Sequence, residues 1–232
     1  MDDARQGGCA AADPYIQRGR CQVSVELLAE KAYAAMKHDI LSCALAPGEV
    51  INEKALAARI GTSKTPIRHA INKLAADGFV EVFPRQGTMV KHISIKDIKN
   101  VYLVRELTEP GTSALAASRA TAEDIALLED LDERLLDSGT ESIDLEQHAA
   151  FHVAVAEITR VPQLITIIAS LHDQLRWFLA AQAADHGPKP PKRNHRRLLD
   201  AIRTGDADEA RSITAETIDL SRTWMLNSML DR

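Results

Sequence analysis

The stretch from Ser63 to Val90, SKTPIRHAINKLAADGFVEVFPRQGTMV, decides how the first part of the chain folds. Ser63 is a helix-capping residue type, and Pro66 suits an early helical position, where a missing N–H costs little. Ile67, Ala70, Ile71 and Leu74 follow at helical spacing, up to Asp77-Gly78. Phe79–Phe83 is then a short β-type run, Pro84-Arg85-Gln86-Gly87 a turn, and Thr88–Val90 a second β-type run. Upstream, Asn52 is an N-cap, Glu53 places an acid in the first turn, and the helix ALAARI stops at Gly61. Only Gly61 and Thr62 separate that helix from the cap at Ser63. Two helices joined by so short a turn form a helix-turn-helix, and a hairpin directly behind it is a wing.

Outward from this unit, Leu27, Leu28, Tyr33, Met36, Ile40 and Leu41 predict a helix over 25–42, closed by the turn Ala46-Pro47-Gly48. Residues 1–24, with few large apolar residues, read as a mobile arm. Downstream, Ser94 starts a helix carrying Ile95, Ile98, Val101, Tyr102 and Val104. Helical stretches follow over 106–119, 122–138, 143–159, 162–186, 191–204 and 207–229, with short connections and no strand. The expected fold is therefore mainly α. A winged helix-turn-helix over 25–93 precedes an antiparallel all-helical bundle of about six or seven helices over 94–232.

Composition agrees with two small domains: 232 residues, 45% apolar and 26% charged. No run of about 18 apolar residues occurs, so no membrane span is expected. The first residues lack the apolar region of a secretory signal, which points to the cytoplasm. Cys9, Cys21 and Cys43 match neither a metal knuckle nor a redox pair and read as ordinary thiols. The net charge is −5, but it is unevenly spread: residues 25–93 carry +2 and residues 94–232 carry −7. One half can meet a polyanion and the other cannot.

The segment SKTPIRHAINKLAADGFVEVFPRQGTMV, with PGEVINEKALAARIGTS before it, resembles the GntR family of regulators. Ser63, Lys64, Thr65, Pro66, Arg68, Leu74, Gly78 and Gly87 fall where that family's pattern has Ser-Arg-Thr-Pro-x-Arg, then Leu, Gly and a wing glycine. The second half resembles the effector-binding domain of the FadR subfamily, the FCD domain, through VYLVRELTEPGTSALAASRAT, Phe151-His152 and NHRRLLDAIRTGDADEARS.

The resemblance implies a DNA-binding surface. Lys64, Thr65 and Arg68 stand at the start of the recognition helix, where side chains reach base edges in the major groove, and Arg can bond a guanine edge twice. Lys64 replaces the family's Arg and lacks its planar fork. Lys54 is placed against the phosphate backbone, Ser63 at the head of the recognition helix belongs to the same DNA-binding set, and Gln86 and Gly87 form a wing tip able to approach the minor groove. His69 and Lys73 are equally readable as surface charges.

It also implies an effector site and a metal. FCD domains commonly hold a divalent ion with an Asp and three His. Here His152 matches the first His, His148 stands four residues earlier in place of the Asp, and His195 matches the second His. Thr217 stands where the third falls. His148, His152 and His195 are thus a candidate three-nitrogen site for zinc or nickel; the other reading is a metal-free polar cavity. Arg105 is expected to face the effector, unless it pairs with Glu109 one helical turn away. Arg176 and Asn194 are weaker candidates. The implied effector is a small organic acid or related metabolite.

The expected function is a ligand-responsive transcription regulator, read as a repressor, that binds an inverted-repeat operator as a homodimer. Two other classes stay open. One is a hydrolase-like enzyme using the three histidines with Asp144 or Glu146; against it, no nucleophile elbow, P-loop or HExxH motif is present. The other is an architectural DNA-binding protein without a ligand.

Overall fold

A computed structural model describes the backbone of residues 14–137, 144–184 and 195–230, with side chains over 25–135, 144–184 and 195–229. The contacts divide the chain into two units. One holds residues up to His38 with Val50–Met89; the other holds Asp39–Glu49 with the chain from Val90 onward.

The first unit contains α1 (Pro14–Leu41, whose last turn belongs to the second unit), β1 (Val50–Ile51), α2 (Glu53–Ile60), α3 (Lys64–Ala76), β2 (Val80–Phe83) and β3 (Gly87–Val90). Asn52 caps α2 by accepting from Ala55 N, and Gly61 ends it at φ 75°, a left-handed conformation that suits glycine. Buried Ile67, Ala70, Ile71 and Leu74 give α3 its inner face, and Leu56 of α2 and Met36 of α1 are buried as well. The Tyr33 hydroxyl donates to Asp77 Oδ2 at 2.7 Å, fixing α1 to the end of α3. The wing hairpin is the β2–β3 pair, and β1 adds a third strand in the order β1-β3-β2, with Val50 opposite Met89 and Ile51 opposite Thr88.

The second unit is a helical bundle of α4 (Ile95–Ala117), α5 (Ala122–Asp137), α6 (Leu145–Ile158), α7 (Pro162–Ala184), α8 (Arg196–Thr204) and α9 (Ala207–Leu230). Helix α4 packs along α9 and also touches α6, α7 and α8, which makes it the axis of the bundle. Phe151, Val155, Leu128, Leu198, Leu199 and Ile202 form the core on one side of that axis. The Thr214 hydroxyl donates to Ser113 Oγ at 2.8 Å, and Tyr102 OH lies 2.8 Å from Ser221 Oγ, so polar pins join α4 and α9.

Several expectations are corrected. Helix α1 starts at Pro14, inside the expected arm of 1–24; residues 1–13, with Cys9, lie outside the described residues, as does the side chain of Cys21. A proline at the first helical position is the local reason. The helix from Ser94 and the stretch 106–119 are one helix, running through Pro110. Asp39–Glu49 cluster with the second unit by contacts, and Gly48 N donates to Val90 O and Val90 N to Glu49 O, both at 2.9 Å. The short strand β1 was not foreseen.

Candidate functional site

In the first unit, Lys54, Ser63, Lys64, Thr65 and Arg68 are exposed, as are Gln86 and Gly87 at the hairpin tip. On α3 the outward residues follow from its amphipathic spacing: with 67, 70, 71 and 74 buried, positions 64, 65, 68 and 69 face outward. Ser63 occupies the N-cap position, but its side chain makes no capping hydrogen bond. Arg68 Nε bonds Glu53 Oε2 at 3.2 Å across the helix-turn-helix, and its side chain is still 68% exposed, so the guanidinium is oriented without being consumed. Arg85, at φ 66°, is exposed at the same tip as Gln86, a cation that the sequence reading passed over.

In the second unit, four imidazoles converge. His148 and His152 lie one turn apart on α6, whose N-cap Asp144 accepts from Glu146 N and Gln147 N. Their ring centroids are 4.7 Å apart. His172 arrives from α7, its ring stacked on His152 with centroids 4.4 Å apart. His195 heads α8, stacks on Phe151 at 4.0 Å, and brings Nε2 to 3.1 Å from His148 Nδ1. Ligand nitrogens of His148, His152 and His172 lie within 4.8 Å of one another. The expected trio had His195 in place of His172. His195 is present in the cluster, but its nitrogens are directed to His148 and, at 3.5 Å, to Asp132 Oδ1.

The electrostatics follow from burial. His148 and His152 are held well below the ordinary histidine range by burial first and by neighbouring histidines and Arg105 second, which favours the neutral imidazole. Burial lowers His195 as well, opposed by Asp132. The bond from His195 in turn holds Asp132 below its usual range. On α4, Arg105 Nε donates to Glu109 Oε1 at 2.6 Å and Nη2 to Oε2 at 3.3 Å, with side-chain exposures of 2% and 4%. Burial alone would raise the Glu109 carboxyl, but Arg105 and His172 outweigh it and hold it far below the usual range. His172 Nε2 stands 3.3 Å from Glu109 Oε1.

A cavity of about 460 Å³ is lined by Arg105, Glu109, His148, His152 and His195 of this group, together with Leu198, Ile213, Thr214, Ile218 and Leu220. Its size is that of a small-molecule site. Arg105 pairs with Glu109 and also lines the cavity, and its Nη1 is buried without a hydrogen-bond partner. Arg197 also lines the cavity and was not foreseen. Thr217 lines it too, but its hydroxyl donates to Ile213 O at 2.8 Å. Arg176 does not line it: that side chain faces Glu146 at 3.6 Å, on the α6–α7 surface. Asn194 lies outside the described residues. Asp144 and Glu146, the carboxylates of the hydrolase reading, are taken up by helix capping and by Arg176.

Two family models match the chain: "Bacterial regulatory proteins, gntR family" over residues 28–90 and "FCD domain" over residues 100–220. An HTH-type transcriptional regulator of Streptomyces ambofaciens is 30% identical, over 78% of this chain and 77% of its own length. The HTH-type transcriptional repressor RspR of Escherichia coli K12 is 28% identical, over 84% of this chain and 87% of its own. Among solved structures, E. coli McbR/YncC has a TM-score of 0.73 at 24% identity, covering 87% of this chain and 98% of that one, a likeness of fold.

Proposed function

The chain belongs to the GntR family of bacterial regulatory proteins and carries an FCD domain, and from that premise we propose that it is a dimeric repressor released or engaged by a small carboxylic acid. That it is a DNA-binding transcription regulator, and not an enzyme, follows from the family. Among the described residues no helix is long and apolar enough to cross a membrane. A cytoplasmic location is part of the proposal.

The observation that carries the effector reading is Arg105, which lines the cavity and whose Nη1 is buried with no hydrogen-bond partner. A guanidinium N–H in that state favours a ligand oxygen, and a carboxylate answers it best. The aliphatic wall of Leu198, Ile213, Ile218 and Leu220 suits a short hydrocarbon body beside that head group. The histidine cluster fits a divalent ion, because buried imidazole nitrogens there lack hydrogen-bond partners. When bound, such an ion supplies positive charge for the effector's carboxylate.

On the DNA side, Lys64, Thr65 and Arg68 read base edges. Lys54 and Ser63 hold phosphates, and Gln86 and Gly87 carry the wing to the neighbouring groove. A homodimer presents two such heads to an inverted repeat. The repressor sign draws on the name of the relative RspR. To swing the heads from 1:99 to 99:1, the effector must favour one arrangement by about 5.5 kcal/mol.

Fluorescence anisotropy of a labelled operator, titrated with the full chain in the presence of a panel of C2–C6 carboxylates, tests this reading. A saturable shift in operator affinity with one acid, lost in Arg105→Ala, is expected. Indifference of operator affinity to every acid in the panel would contradict it.

A further inference from the structure

We propose that His172 of α7 is a metal ligand, and that His148, His152 and His172 form an all-imidazole site for a late first-row divalent ion. The inference rests on the metal reading of the histidine cluster but changes its ligands. The sequence pattern names His195 and leaves Thr217 where a further imidazole is wanted. Thr217 is committed to the Ile213 carbonyl. The cluster is instead completed from the opposite side, by the helix that packs along α6.

Three observations support His172 over His195. The ligand nitrogens of His148, His152 and His172 already lie within 4.8 Å of one another. Around one ion at Zn–N of about 2.0–2.1 Å, tetrahedral nitrogens stand roughly 3.3 Å apart, so the set has at most about 1.5 Å to close. His172 is 1% exposed, and its Nδ1 is buried without a hydrogen bond, as is His152 Nε2. Buried polar nitrogens are paired as a rule, and unpaired ones in one cluster point to a ligand. His195 differs in its Nε2, which stands 3.1 Å from His148 Nδ1; its Nδ1, 3.5 Å from Asp132 Oδ1, is buried without a hydrogen bond, as are the His172 nitrogens. Its backbone N donates to Asp132 Oδ1 at 3.0 Å, so it is a positioning residue between Asp132 and His148, while Glu109 stands 3.3 Å from His172 Nε2.

The donor set fixes the class of ion. Three imidazoles with carboxylates only behind them favour Zn²⁺, Ni²⁺, Co²⁺ or Cu²⁺, whereas Mg²⁺ and Mn²⁺ prefer oxygen. The carboxylates at Glu109 and Asp132 supply outer negative charge for a buried dication.

The test uses the chelator-stripped full chain without DNA, so its result is independent of operator binding. Zn²⁺ is titrated against a chromophoric chelator, and Co²⁺ is followed by its visible absorption. One ion per chain is expected, with Mn²⁺ and Mg²⁺ not retained after gel filtration. His172→Gln should weaken Zn²⁺ by more than the roughly 10–100-fold that loss of an outer-sphere partner costs. His195→Ala should stay within that range and keep full stoichiometry. His172→Cys, kept folded by circular dichroism, should add a sulfur-to-Co²⁺ charge-transfer band, which only a direct ligand produces. Undiminished Zn²⁺ affinity in His172→Gln, or a folded His172→Cys whose Co²⁺ spectrum lacks that band, would overturn the assignment.

Discussion

Replacing Glu109 with Ala leaves the Arg105 guanidinium charged, desolvated and without its counter-charge at the centre of the bundle. The pair is bidentate, at 2.6 Å and 3.3 Å, and its side chains are only 2% and 4% exposed. Solvent screening is weak there, and two charges about 4 Å apart at an effective dielectric near 20 interact by about 4 kcal/mol. Breaking a buried pair by removing one partner typically costs about 3–5 kcal/mol. For a chain of this size each kcal/mol moves the melting point by about 2–4 °C, so Glu109→Ala should lower it by roughly 6–20 °C. Both tryptophans, Trp177 and Trp224, lie in the bundle, so intrinsic fluorescence in a urea or thermal titration reports the right unit. The double variant Arg105→Met, Glu109→Leu removes both charges at similar volume and should recover most of the loss. Millimolar acetate should restabilise Glu109→Ala by binding the freed fork, and by more than it stabilises the wild type. A loss under about 1 kcal/mol in Glu109→Ala, or a double variant no better than the single, would refute the buried-pair account.

The other predictions concern the DNA face and the histidines. Arg68→Ala should weaken operator binding by about 1–3 kcal/mol and relax the preference at one base of each half-site, measured by competition with single-base operator variants. Lys54→Ala should instead weaken all sequences alike and make the salt slope shallower by about one. Chelator-stripped protein should lose stability as pH falls below about 6.5. His148 and His152 are depressed in the folded state, chiefly by burial, with His172, His195 and Arg105 facing them. Below the unfolded pKa the unfolded chain therefore binds more protons. Their stabilising contribution is complete above that value and declines beneath it. Urea midpoints between pH 5 and 8 should show the slope, and His148→Gln should flatten it.

What was legible in the sequence was local. The Asn52 cap, the left-handed Gly61, Pro66 early in α3 and the alternation before and after Gly87 each act within a few residues, and together they spell the winged helix-turn-helix. His148 and His152 were legible for the same reason, since four residues on a helix share a face. His172 was not, because its place depends on how α7 crosses α6 after the turn at Arg160, which has φ 56°. No short-range pattern marks residue 172 as the neighbour of residue 152. Strand β1 has two residues and exists only through pairing with β3, so it carried no run to read. Arg176 looked like a pocket cation by type alone, and the packing turned it toward Glu146. For Arg105 the i,i+4 pairing with Glu109 and the cavity position were weighed as rivals, yet a guanidinium has enough N–H groups to serve both.

The most direct test of the account is selection of random DNA duplexes by the purified full-length chain, followed by sequencing of the retained pool. The account predicts enrichment of an inverted repeat whose half-sites lie about one helical turn apart, and loss of that enrichment in Arg68→Ala. A pool without any enriched repeat, or the same repeat recovered by Arg68→Ala, would contradict it.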